Sequence, residues 1–281
     1  MSEGVFSEGS LFWILGHVLG GYISQSIAGL IAIAGIWLLL RLRSCFGFTT
    51  ASGELKTIFT SVLIAQIATL LACGIYVSTQ LKWKLIPSFP ETIRFLQDQH
   101  HFIILSALVS IGVLLCVFLI KKTNGWCWYD LGISKPYTGK LQTVYILVAA
   151  ITLMEVFYIG WGQVINEFGG NEKFKTFASV PAAWKLFYLF WLVTIVPLLE
   201  ELLFRGAIQK VISQVAGIRT GLVFQAVIFA AMHDSYLNYI PIFVFGIVLG
   251  VVYVRTKSVW LPAIIHSSTN FLTLIVAAYR A

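Results

Sequence analysis

Apolar residues dominate the chain in long runs, broken by short polar stretches that hold most of the charge. A bilayer core takes about 20 apolar residues of helix to cross. Runs of that length recur at roughly 18–40, 57–80, 101–120, 141–162, 183–203, 218–233, 239–254 and 259–278. The pattern predicts an all-α integral membrane protein of about eight transmembrane helices. Leu11–Leu19 extends the first span or lies along the interface. Trp and Tyr crowd the span ends, at Trp83, Trp126, Trp128, Tyr129, Trp184, Tyr239 and Trp260, as an interfacial aromatic belt requires. The polar stretch 163–182 reads as a loop or short surface helix, and 128–132 as a connector with a turn.

Composition sharpens this picture. Only 11% of residues are charged, about half the share of an ordinary soluble domain, so no room remains for a separate soluble unit. The net charge of +7 is spread between apolar runs and forms no single patch, which argues against nucleic acid as a partner. Counting Lys and Arg gives twelve on one side of the membrane and seven on the other. The richer side is expected to be cytoplasmic, with both termini outside. The four cysteines show no metal-binding spacing; Cys73 and Cys116 lie within apolar runs and read as buried thiols. Met1 to Ser10 carries no Lys or Arg, so the first span is expected to be retained rather than cleaved as a signal peptide. Compact length without targeting segments points to a prokaryotic inner or plasma membrane.

Charged side chains inside a span cost about 2.5–3.5 kcal/mol each on insertion scales, so each calls for a reason. Three clusters stand out: Glu200, Glu201 and Arg205; Phe229 with His233; and His266 with Asn270 after Trp260-Leu261-Pro262. Glu201 and Arg205 are four apart and share a helix face, while Glu200 is rotated by about 100°. One carboxylate can then be held by arginine while the other faces a different cavity. If the fifth helix runs on to a turn at Ala216-Gly217, Glu200 lies sixteen residues before Ala216 and His233 seventeen after it, at similar depth in a helical hairpin. His266 and Asn270 share one face of the last helix. Glu200, His233, His266 and Asn270 can thus meet in one intramembrane polar cavity open toward the cytoplasm. A desolvated Glu can act as general base on a water shared with imidazole. Imidazole N–H and the Asn amide can donate to a developing oxyanion. No Gly-Xaa-Ser-Xaa-Gly occurs and no Cys sits among histidines, which disfavours a covalent nucleophile.

These residues resemble the CPBP family, which comprises the type 2 CAAX prenyl endopeptidases and the bacteriocin-processing (Abi) intramembrane proteases. The Gly246–Gly250 pair and the Thr256–Ser258 run-in look like that family's as well. The resemblance covers about 183–278, which it implies is a catalytic core of about four spans. Residues 1–162 supply about four further spans, and the whole is one membrane-embedded domain. It implies a glutamate-type, metal-independent intramembrane endopeptidase without cofactor. Glu200 would activate water with help from His233, and His266 and Asn270 would form the oxyanion hole. Glu201, Arg205 and Phe229 would shape the site or contact substrate. The expected partners are the bilayer and a membrane-associated protein or peptide precursor, with a prenylated, CAAX-like protein among the candidates.

Other readings of the same residues stay open. Glu201–Arg205 taken alone is equally a helix-stabilising pair, and His266 and Asn270 could be interhelical contacts. Two histidines and a glutamate are also a zinc ligand set, although no HExxH occurs. A non-proteolytic scaffold of the same family and a proton-conducting transporter are the remaining alternatives. Glu155, inside the fourth span, is a further intramembrane carboxylate and reads as structural; Gln66 and His17 read as helix contacts.

Overall fold

The structure, a computed structural model, describes residues 52–80, 99–166, 182–233 and 239–280. The expected first span at 18–40, His17 and most of the 163–182 connector lie outside the described residues. All regular structure among them is helical. In chain order the helices are α1 (Ser52–Gln80), α2 (Gln99–Thr123) and α3 (Lys140–Asn166). A long rod follows: α4 (Ala182–Phe190), a π-helical turn (Trp191–Ile195), α5 (Val196–Glu201), a π-helical stretch (Leu202–Gln209) and α6 (Lys210–Ala216). Last come α7 (Ile218–Ala231), α8 (Tyr239–Thr256) and α9 (Trp260–Arg280).

Helices therefore stand at seven of the eight expected positions. Four segments are long and apolar enough to cross a membrane: Lys56–Cys73, Lys140–Trp161, Trp184–Ala216 and Tyr239–Thr256. The expected span at 218–233 is the shorter apolar helix Ile218–Ala231. Helix α9 spans the expected length but carries His266-Ser267-Ser268-Thr269-Asn270 at its centre, which dilutes its hydropathy. The fifth expected span does run on past Arg205 to Ala216. It ends at Gly217, whose φ of +88° is open to glycine and strained for other residues.

The packing is that of a protein whose solvent is lipid. Large apolar side chains face outward, Leu71 at 61% exposure and Val156 at 65%, while polar side chains collect at the centre. Helix α1 pairs with α2, and α2 packs on the middle of the long rod. Helices α7 and α8 pack closely together, and α9 is flanked by α3, α8, α5 and the first π turn. Small residues set these distances. A Cβ on Gly246 would stand 2.9 Å from Ala226 Cβ, and one on Gly206 would run into the carbonyl oxygen of Leu131.

That contact with Leu131 belongs to a brace. The connector from Asn124 to Gly139 is tied to the α8–α9 turn by Tyr137 N–H donating to Thr256 O (2.8 Å) and Val259 N–H donating to Gly132 O (3.0 Å). Ser258 Oγ adds a bond to Ser134 O at 2.6 Å. On the long rod, Lys210 Nζ donates to Asp130 O at 2.8 Å and lies over the Trp126 ring. The Cys127 thiol and backbone N–H both donate to Asp130 Oδ2. These bonds, with Lys210 nearby, hold the Asp130 carboxyl below its ordinary range.

Two predictions follow from this packing. Gly246→Val should lower stability by about 1–3 kcal/mol, the usual cost of overpacking. Thermal unfolding in detergent reads this, and an unchanged midpoint would contradict the close α7–α8 approach. For Asp130, the folded-state pKa lies below the unfolded one, so its contribution is present at neutral pH and lost as pH falls through the lowered value. Asp130→Asn should therefore be less stable than wild type at pH 7, with the difference closing in acid.

Candidate active site

The long rod carries three polar residues four apart: Glu201, Arg205 and Gln209, all buried. A four-residue step overshoots one α-helical turn by about 40°. The stretch from Leu202 to Gln209 has instead the wider i to i+5 register of a π helix, and all three side chains turn into the core.

Glu201 and Arg205 are each 0% exposed and form an ion pair, with Arg205 Nη1 donating to Glu201 Oε1 at 2.8 Å. Arg205 Nη2 donates to Gly246 O at 3.3 Å, and the guanidinium lies 4.6 Å from the Phe229 ring centre. His266 reaches the same carboxylate from α9, its Nδ1 standing 3.0 Å from Glu201 Oε1. The other ring nitrogen, Nε2, faces Glu200 Oε2 at 3.8 Å. Glu200 lies on the adjacent face, its side chain 23% exposed, and Oε2 is buried without a protein hydrogen bond. The two adjacent carboxylates are divided as their 100° separation predicts. One is held by a cation; the other faces a neighbouring space.

His233 stands just past the end of α7, whose last residue is Ala231. Its Nδ1 is 2.7 Å from Phe229 O, and its ring lies 4.7 Å from that of Phe229. Phe229, expected only as a supporting residue, occupies the centre. Its ring packs edge-on to His266 and Phe204, and also contacts Phe245. Asn270 donates from Nδ2 to the carbonyl of Leu192 in the first π turn, at 3.0 Å. A side-chain amide has two N–H bonds, so one donor remains.

Arg205, His233 and His266 thus gather around Phe229, with Glu201 paired to Arg205 and Glu200 beside His266 through Nε2, whereas Asn270 is tied to the Leu192 carbonyl. Two residues of the site escaped the sequence reading. Gln209 Nε2 donates to Gly250 O at 3.0 Å, and Gln225 Nε2 donates to Gly246 O at 2.7 Å, so both tie α8 to the centre. The signal was present: Gln209 continues the Glu201–Arg205 spacing by four, and Gln225 precedes Phe229 by four. Glu155 on α3 is turned toward Thr269 on α9. Among the described residues no three His, Cys, Asp or Glu side chains converge as a metal-holding group.

Residues 182–272 match the family model described as type II CAAX prenyl endopeptidase, Rce1-like. The resemblance read from the three motifs therefore holds over the segment that carries them. The chain is also similar to an uncharacterised 24.3 kDa protein of Escherichia coli, 26% identical over 169 residues, or 58% of this chain and 75% of that protein. No solved structure matches. The apolar helices and this family together mark a membrane protein.

The buried ion pair yields a prediction. Removing one partner leaves the other charge uncompensated in the core, at a cost of about 3–5 kcal/mol. Arg205→Met and Glu201→Gln should each unfold at markedly lower temperature than wild type. The double variant should recover part of that loss, because no lone charge is left. Additive losses in unfolding experiments would show that the two side chains do not act as a pair.

Proposed function

We propose that the protein is a glutamate-type intramembrane endopeptidase, hydrolysing peptide bonds of membrane-associated proteins or peptide precursors, with prenylated CAAX-like proteins as the first class to test. The observation that carries this reading is the approach of Glu200 Oε2 to His266 Nε2 at 3.8 Å, beside a fully neutralised Glu201–Arg205 pair. The family of the matched segment, named for prenyl endopeptidases, supports the same class of substrate.

In the proposed reaction, water lies against the Glu200 carboxylate, and His233 from α7 assists. Glu200 takes a proton as the water oxygen attacks the scissile carbonyl carbon. The carbonyl oxygen becomes an oxyanion and accepts hydrogen bonds from His266 Nε2–H and the second Asn270 N–H. Glu200 then returns its proton to the leaving nitrogen, the C–N bond breaks, and a carboxylate and an amine result. General base and oxyanion donors typically contribute about 10²–10⁴-fold and 10²–10³-fold respectively. His266 Nδ1 stands within hydrogen-bond distance of the Glu201 carboxylate, which orients the ring with Nε2 toward Glu200. Arg205 and Phe229 hold the frame.

The N-terminal spans serve in this proposal as a scaffold around the 183–278 core, completing about eight spans in one domain. Arg205 is buried and paired with Glu201, so the sequence count of basic residues on the richer side falls to eleven, twelve less this one, against seven opposite. That bias still directs the site toward the cytoplasm of a prokaryotic inner membrane.

Membranes carrying wild type and Glu200→Ala at matched abundance test the proposal. New peptide termini, read by mass spectrometry with and without a strong chelator, should depend on Glu200 by about 10³-fold and persist in chelator. Termini lost to chelator would move the site to zinc chemistry. Indistinguishable membranes would favour the scaffold reading.

A further inference from the structure

Pro197 occupies a position in the long rod where its missing N–H has a consequence. In the first π turn, hydrogen bonds run from residue i to i−5, and Val196 N–H donates to Trp191 O. The next donor in that register would be residue 197, and its acceptor would be Leu192 O. Proline has no N–H to give. Leu192 O is the carbonyl that accepts from Asn270 Nδ2 at 3.0 Å. A proline three residues before Glu200 therefore releases a single backbone acceptor, and a side chain from α9 occupies it.

We propose that Pro197 is a positioning residue for Asn270, in that it reserves the Leu192 carbonyl as the anchor that aims the second amide N–H of Asn270 into the site. The physical argument is one of competition. A backbone N–H at 197 would sit one register step from Val196, on the same rod, with no entropy left to lose. The Asn270 side chain comes from a separate helix and must give up rotamer freedom to make its bond. Given a backbone donor, Leu192 O turns along the helix axis into the local ladder, and its bond to the off-axis Asn270 amide weakens. The proline is also costly where it stands, because inside a helix it forfeits a backbone hydrogen bond and crowds the preceding turn. Its neighbourhood accommodates that loss by the wider π turn, and Pro197 is itself buried. The consequence for catalysis rests on the proposed role of Asn270 as an oxyanion donor. The consequence for the hydrogen bond does not.

The test compares Pro197→Ala with Pro241→Ala. Pro241 lies in the first turn of α8, where an N–H would have no intrahelical partner, so its replacement controls for the general loss of a proline. Two readouts are taken. The first is NMR of the full chain in detergent micelles. Pro197→Ala should show a new backbone amide at 197 protected from exchange, together with a shifted Asn270 side-chain amide that exchanges about tenfold faster or more. Pro241→Ala should leave the Asn270 signal unmoved. The second is hydrolysis of an internally quenched farnesylated peptide ending in a CAAX sequence. Pro197→Ala should lower kcat about tenfold with KM within about twofold, while the unfolding midpoint stays level or rises. A purely structural proline would do the reverse, altering stability and leaving the kcat of the folded fraction intact. An unmoved Asn270 amide in Pro197→Ala overturns the proposal whatever the kinetics. A moved amide with unchanged kcat retains the anchor and removes Asn270 from the catalytic set. A wild-type chain that does not cut the peptide counts against the prenyl substrate class and leaves the NMR comparison to decide the anchor.

Discussion

A guanidinium and a carboxylate with no exposure to solvent fix the rest of this structure. An isolated charge in an apolar core is prohibitively unfavourable, so Arg205 and Glu201 can exist there only as partners, helped by further polar contacts. Each satisfying group recruits a different element. Gly246 O brings α8, which must lack a side chain at 246 to come close enough. The Phe229 face brings α7, and His266 Nδ1 brings α9. The helices that surround the candidate site are thus those that neutralise one ion pair. The frame of the candidate site and the fold's polar centre are the same object.

The same constraint explains the irregular helix. A straight α helix would carry Gln209 about 80° away from Glu201 over two four-residue steps, off the line that faces α8. In the π stretch Gln209 meets Gly250 O just as Arg205 meets Gly246 O one step earlier. Two donors four apart on one helix engage two carbonyls four apart on another. That register cannot slip by one residue without breaking both bonds. Beyond the membrane centre, the Asn124–Gly139 connector does similar work with backbone groups, tying Gly206 and Lys210 of the rod to the turn that starts α9.

Much of this was legible in the sequence because membrane helices leave few choices. Apolar run length located seven helices within a few residues, apart from the rod's extension to Ala216, which the hairpin argument required. The spacing of four placed Glu201 against Arg205, and the three motifs predicted a common cavity. What periodicity could not reach was the departure from periodicity. A count based on 3.6 residues per turn contains no π stretch, so the open carbonyl at Leu192 was invisible. Gln225 and Gln209 were overlooked for another reason. A neutral amide inside a span is common as a helix contact, and only the facing glycine carbonyls give these two a specific partner. Phe229 was read as a supporting residue; its central place was out of reach because it depends on the five side chains that surround it, Phe204, Arg205, His233, Phe245 and His266.

The division of labour between Glu200 and Glu201 is the step that geometry argues most directly. Adjacent carboxylates on a helix could share one cation, and then neither would be free to act as a base. Here Arg205 is bound on the Glu201 side, by the carboxylate, by Gly246 O and by the face of Phe229, which leaves it no freedom to swing toward Glu200. Glu200 consequently faces His266 Nε2, while Glu201 holds His266 Nδ1. One imidazole bridges the held carboxylate and the free one. Motion of His266 toward either would be felt at the other, so the fixed pair sets the position from which the free carboxylate works.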